Sequence, residues 1–172
     1  MRRSASSLPR LIKPAVLLVI AALAGLAQAG SCAVSSSGLA FGAYQPLTFA
    51  GKLTSAAVTS NASVSVVCIG IATVGSYSIA LGPSMAGTGD RISTRFLVNS
   101  SGGGNMAFNI YTSPSYTTVW GDGRVGSQIG GSIATGVSNQ SLAVYGKIPA
   151  GQNTLGAGSY SVSLTMTLTY NP

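Results

Sequence analysis

Histidine and glutamate occur nowhere in this 172-residue chain, and aspartate occurs twice, as Asp90 and Asp122. Without an imidazole, the usual proton shuttle near neutral pH is missing. A serine nucleophile would have to rely on a lysine base, and neither Lys52 nor Lys147 stands in a Ser-x-x-Lys spacing. Each aspartate sits in a glycine-rich turn with an arginine close by in sequence, Arg91 and Arg124. A glycosidase or aspartic-protease pair requires two converging carboxylates, one with a raised pKa, whereas a nearby arginine holds both ionised. Calcium would find too few acids, and zinc neither histidine nor a free thiolate pair. The glycines at 102–104 and at Gly121 and Gly123 lack the flanking residues of a phosphate loop and read as turns. The composition points away from an enzyme and implies no cofactor and no metal.

Charge is scarce and unevenly placed. Arg2, Arg3, Arg10 and Lys13 form a basic start, an uncharged apolar run extends from Pro14 to Leu26, and Ala27-Gln28-Ala29 supplies a small-x-small pattern. This is the layout of a secretory signal peptide over residues 1–29, cleaved after Ala29. The run is short and Ala-rich against the roughly 20 apolar residues of a membrane span, so no permanent anchor is expected. Ser4-Ala5-Ser6 does not continue a twin-arginine motif, which favours the general secretory route. The mature chain, residues 30–172, keeps five basic residues against two acids, scattered without a cluster or stripe. Nucleic acid is therefore not an expected partner. The length suits one domain with a real core. Its surface, built from Ser, Thr, Asn and backbone amides, is weakly protected by charge against association.

Cysteine is limited to Cys32 and Cys68. In an exported chain the compartment favours a disulfide between them, the alternative being two buried free thiols.

No stretch of the mature chain has a helical apolar period; apolar residues alternate with polar ones instead. The clearest strand is the last, where Tyr160, Val162, Leu164, Met166, Leu168 and Tyr170 alternate with Ser and Thr. A period of two puts the large apolar groups on one face and the hydroxyls on the other. Shorter strand candidates are Val64–Cys68, Tyr77–Leu81, Met106–Ile110, Leu142–Tyr145, Leu39–Phe41 and Phe96–Val98. Glycine- and proline-rich breaks separate them. Six or seven short strands at this spacing predict an all-β, antiparallel β-sandwich.

The final strand carries no charge, no bulge signal and no proline before Pro172. Either it is a central strand covered on both sides by its own chain, or it is an edge left for another chain's strand to fill. Periodicity is compatible with both. Tyr116 and Trp120 fall in a loop region, where they serve core or turn packing or form a contact surface for sugar or protein.

Several ordered patterns resemble one family. They are Cys32-Ala33-Val34, Leu39 to Pro46, Ser63 to Cys68, Tyr77 to Gly82, Phe108-Asn109-Ile110-Tyr111, Trp120-Gly121-Asp122-Gly123, Val144 to Gln152, and Gly158-Ser159-Tyr160. In order and spacing they are similar to the spore coat protein U domain, which includes a spore coat protein and subunits of archaic (Csu-type) chaperone–usher pili. The resemblance implies an immunoglobulin-like sandwich that is incomplete, lacking its last strand, and a Cys32–Cys68 disulfide. It implies a periplasmic chaperone that fills the groove first, and an outer-membrane usher through which a neighbouring subunit's donor strand replaces the chaperone. The groove face would be Tyr160, Val162, Leu164, Met166, Leu168 and Tyr170, and the destination the cell surface as fimbrium or coat. Where the family often has Asp shortly after the tyrosine at 160, this chain has Ser161-Val162. Cleavage after Ala29 would leave only Gly30 and Ser31 ahead of Cys32. Such a chain would accept a strand without giving one, as a terminal, tip or coat unit. The competing reading is a stand-alone secreted binding module that holds a sugar or protein with Tyr116 and Trp120.

Overall fold

A computed structural model describes residues 30–50 and 54–171. The expected signal peptide lies outside the described residues. Nine strands follow in chain order: β1 Ser31–Ser36, β2 Val58–Ile71, β3 Gly75–Leu81, β4 Arg95–Asn99, β5 Asn105–Tyr111, β6 Ile129–Ile133, β7 Gly136–Ile148, β8 Tyr160–Ser161 and β9 Met166–Asn171. They form two antiparallel sheets, one ordered β1-β2-β7-β5-β4-β8 and the other β6-β3-β9. No helix occurs among the described residues, and hence none long and apolar enough to cross a membrane. The predicted all-β sandwich is the observed architecture.

Alternation explains the core. Val64, Val66 and Cys68 of β2, Met106, Phe108 and Ile110 of β5, and Val144 and Ile148 of β7 face inward from the large sheet. Tyr77, Ile79 and Leu81 of β3 face them from the small sheet. Ser65 and Ser78 between them look outward, as the period of two requires, whereas Asn109, which alternation alone would place outside, is buried against Arg95.

Cys32 and Cys68 stand opposite each other in the β1–β2 ladder and form a disulfide, with Cys68 fully buried. The bond clamps edge strand β1 to the sheet across a separation of 36 residues. Replacing both cysteines with serine is expected to cost about 3–4 kcal/mol on the loop-entropy account. Equilibrium denaturation of the double variant against the oxidised chain measures this, and a loss below about 1 kcal/mol would contradict it.

The final strand departs from expectation. Tyr160 and Ser161 pair with β4 in the large sheet, residues 162–165 belong to no strand, and β9 pairs with β3 in the small sheet. The expected unbroken strand from Tyr160 to Tyr170 is thus a segment that changes sheets. Its partner is the reason: β3 ends at Leu81, and after Gly82-Pro83 nothing continues the ladder beyond the bond from Gly82 N–H to the Thr165 carbonyl. The alternation of side chains survives the change, with every even-numbered residue from Tyr160 to Tyr170 half-buried and every odd one exposed. Leu39–Phe41 is likewise no strand but part of an irregular segment, while β1 and β6 are strands that the sequence reading omits.

Candidate functional site

The segment that changes sheets borders an apolar groove. One flank is Val162, Leu164 and Met166; the other is the irregular stretch from Ser36 through Leu47. Leu81, Leu97, Met106, Phe108, Ile110, Val144 and Ile148 form the floor. The groove has a wide lobe of about 820 Å3 toward Pro46 and Tyr160, and a narrow one of about 210 Å3 toward Met166 and Trp120. Both lobes touch Leu39, Phe41, Leu97 and Val162.

Glycine shapes the second flank. Gly146, on the inner face of β7, lies under the Phe41 ring, and a Cβ there would stand 2.6 Å from its Cζ. Phe41 settles against Phe108 edge to face, with centroids 5.9 Å apart. The stretch is held by few polar anchors. Ser60 Oγ donates to the Ala40 carbonyl at 2.7 Å, and Tyr44 Oη donates to the Pro149 carbonyl at 2.8 Å while accepting from Gln152 N–H at 3.1 Å.

Backbone direction decides what the groove offers. Gly82 and Thr165 form a hydrogen-bonded antiparallel pair, so the residues whose N–H and C=O groups face β3 are Thr165, Thr167, Thr169 and Asn171. The backbone groups of Met166, Leu168 and Tyr170 point the other way, to the free edge of the small sheet. These are the residues whose side chains face the interior. β1 comes close to β9 without pairing to it. The opposite edge of the small sheet is guarded: the Ser132 carbonyl of β6 accepts a hydrogen bond from the Gln140 side-chain amide, and Gln140 Oε1 accepts from Tyr77 Oη at 2.7 Å.

Arg95, which sequence reading counted only as a scattered charge, is fully buried. Its Nε donates to the Gly82 carbonyl at 3.0 Å and its Nη2 to the Leu81 and Trp120 carbonyls, both at 2.9 Å. Nη1 donates to Asn109 Oδ1 at 2.7 Å. Burial lowers the guanidinium pKa to about 10, opposed by the fields of Asp122 and Asp90, so the group remains charged at neutral pH. Arg95 therefore pins the point where β3 ends and the final segment crosses over. No buried side-chain nitrogen or oxygen among the described residues lacks a partner.

The aspartates serve their own turns. Asp90 Oδ1 accepts from Ile92 N–H, Ser93 N–H and Ser93 Oγ at 2.7–2.9 Å, and Asp122 Oδ1 accepts from Arg124 and Val125 N–H, both at 2.8 Å. These bonds to backbone amides, more than the arginines invoked from sequence, hold both carboxyls below their ordinary pKa. A depressed carboxyl contributes stability above its unfolded pKa and loses it as pH falls through the folded value. With no histidine or glutamate in the chain, the unfolding temperature is expected to stay flat from about pH 5 to 8 and to fall only below about pH 4. Circular dichroism melts across that range check it; a drop between pH 5 and 7 would contradict the assignment.

The two aromatic residues singled out from sequence part company. Trp120 is 2 % exposed, with Nε1 donating to the Ile79 carbonyl at 2.9 Å. Its ring belongs to the core and borders the narrow lobe of the groove from within. Tyr116 is half-buried on the outer side, edge to face with Tyr111 and Tyr145. Among the described residues no three His, Cys, Asp or Glu side chains come together as metal ligands.

Fold and groove together define a charge-poor, disulfide-clamped β-sandwich with one guarded and one accessible edge on its small sheet. The family model of the spore coat protein U domain matches residues 18–167, and the chain belongs to that family. This is a family of structural subunits of surface pili and coats. Comparison with curated proteins returns no match.

Proposed function

We propose that this protein is a strand-accepting structural subunit of a secreted surface assembly, completed first by a periplasmic chaperone and then by a neighbouring subunit delivered at an outer-membrane usher. The observation that carries the reading is the coincidence on one segment of two features. Val162, Leu164 and Met166 hold their side chains half-buried along the groove, and Met166 and Leu168 turn their backbone groups to the free edge. An incoming strand would satisfy both at once, gaining main-chain hydrogen bonds and burying apolar surface worth about 25 cal/mol per Å2. The guarded β6 edge favours a single site of addition.

Expression with and without a cognate chaperone tests it. The chain alone is expected to aggregate or be degraded, and to be recovered as a soluble one-to-one complex when the chaperone is present. Purification of a monodisperse folded monomer without a partner would overturn the reading. The terminal, tip or coat position follows from cleavage after Ala29 and is tested by sequencing the mature N-terminus. A start at Gly30 supports it; a start upstream, with an apolar segment retained, overturns it.

A further inference from the structure

We propose that the outer face of the large sheet carries a second binding site, a tyrosine platform with one cation that takes an acidic polysaccharide. The loop from Thr112 to Thr118 folds back over this face, closed by the bond from Thr112 N–H to the Thr118 carbonyl. Tyr116 near its tip has φ +56°, a left-handed conformation that is uncommon for a residue with a side chain and costs energy to hold. A relay of hydroxyls from Ser113 through Ser115 to Thr117, at 2.8 and 3.0 Å, holds the loop there. The strained backbone sets the Tyr116 ring perpendicular to Tyr111 and Tyr145, with centroids at 5.5 and 6.5 Å. Lys147 Nζ lies 5.4 Å from the Tyr116 ring centroid.

The surroundings say what would bind. Both carboxylates of the chain are committed to their own turns, which leaves the Lys147 ammonium with an aromatic ring as its neighbour. On the adjacent strand, exposed Asn61 and Thr59 are the register partners of Tyr145 and Lys147, and Ser115 and Thr117 are exposed on the loop. Aromatic rings, neutral hydroxyl and amide groups and one cation match a sugar ring that bears hydroxyls and a carboxylate. The C–H groups of such a ring pack on the negative face of an aromatic system, and the carboxylate completes the ammonium. An acidic peptide would call for pockets for its side chains, and the two cavities described above open elsewhere, sharing no residue with this cluster. The site is therefore independent of strand acceptance and remains available when the groove is filled.

Titration of the exported chain, in whichever soluble form it is recovered, with an oligogalacturonate and its methyl ester tests the site. The acid form is expected to bind at least about tenfold more tightly than the ester. Tyr116→Ala should lose about tenfold against both. Lys147→Gln should bring the acid down to the affinity of the ester, and Lys147→Arg should restore the preference, which separates a charge contact from a folding defect. Equal affinity for acid and ester, no binding of either, or unchanged binding by a folded Tyr116→Ala chain would overturn the proposal. Tighter binding of a polyglutamate peptide than of the oligogalacturonate would overturn the glycan assignment in favour of an acidic peptide.

Discussion

Leu164→Asp is expected to abolish capture of this chain by a strand-donating partner while leaving its export intact. Leu164 sits on the wall of the narrow lobe, and an occupying strand would complete its burial. A carboxylate at that position would have to lose water without any cation facing it, because the lobe is lined almost wholly by apolar groups. Desolvating an unpaired charge costs several kcal/mol, and the loss of the leucine contacts adds to that. A penalty of only about 3 kcal/mol already weakens binding more than 100-fold. Thr165→Asp, one residue further along on the exposed side, is the matched control and should be captured normally. Pull-down with a tagged chaperone from periplasmic extracts reads both variants. Equal capture of Leu164→Asp and the parent chain would contradict the location of the groove.

Replacing Arg95 with methionine should cost the domain a large share of its stability. The change leaves the Gly82, Leu81 and Trp120 carbonyls without their shared donor in a buried setting, and leaves Asn109 Oδ1 with the Ile110 N–H alone. Each orphaned carbonyl costs about 1–3 kcal/mol, so the sum over the three reaches about 3 kcal/mol or more. Against a total stability of about 5–15 kcal/mol, this is a large fraction for a chain with a half-exposed flank. Relief of the buried charge offsets part of the loss, since taking a guanidinium out of water is itself unfavourable. Arg95→Lys should be intermediate, because three donors on one nitrogen cannot span carbonyls that lie on separate segments. Chemical denaturation of the partner-bound variants measures the order Arg, Lys, Met; a methionine variant within 1 kcal/mol of the parent would show that the network is dispensable.

These two residues also mark where sequence was informative and where it was not. The face of the last segment was legible because alternation is a local property, and Leu164 keeps its inward direction across the change of sheet. The change itself was hidden. It arises from the end of β3 at Leu81 and from Gly82, more than 80 residues upstream, not from anything between Tyr160 and Tyr170. Arg95 was invisible as a core residue because its neighbours in sequence are ordinary strand residues and its partners lie on three separate segments. Leu39 and Phe41 alternate like a strand, yet they pack as a flank because Gly146 gives the Phe41 ring room on the facing strand. β6, Ile-Gly-Gly-Ser-Ile, is hidden in the sequence because its glycines read as a turn. Gly131 lies against the Tyr77 ring, where a Cβ would come within 2.8 Å of ring carbons. The disulfide and the sandwich were legible because each rests on counts and periods that need no tertiary knowledge. In sequence Tyr116 stands out by its loop position and Tyr145 and Lys147 read as a strand residue and a charge; what brings them together is a loop folding back.

Residue-level hydrogen exchange on the last segment, compared between the unoccupied and the partner-bound chain, tests the central claim most directly. The amides of Thr167 and Thr169 face β3 and should be protected in both states. Those of Met166 and Leu168 face the free edge; together with that of Leu164, which lies outside the ladder, they should exchange rapidly without a partner, then slow by at least about 100-fold on capture. Equal protection of odd and even positions in the unoccupied chain, or no slowing at Leu164, Met166 and Leu168 in the complex, would contradict strand acceptance at this edge.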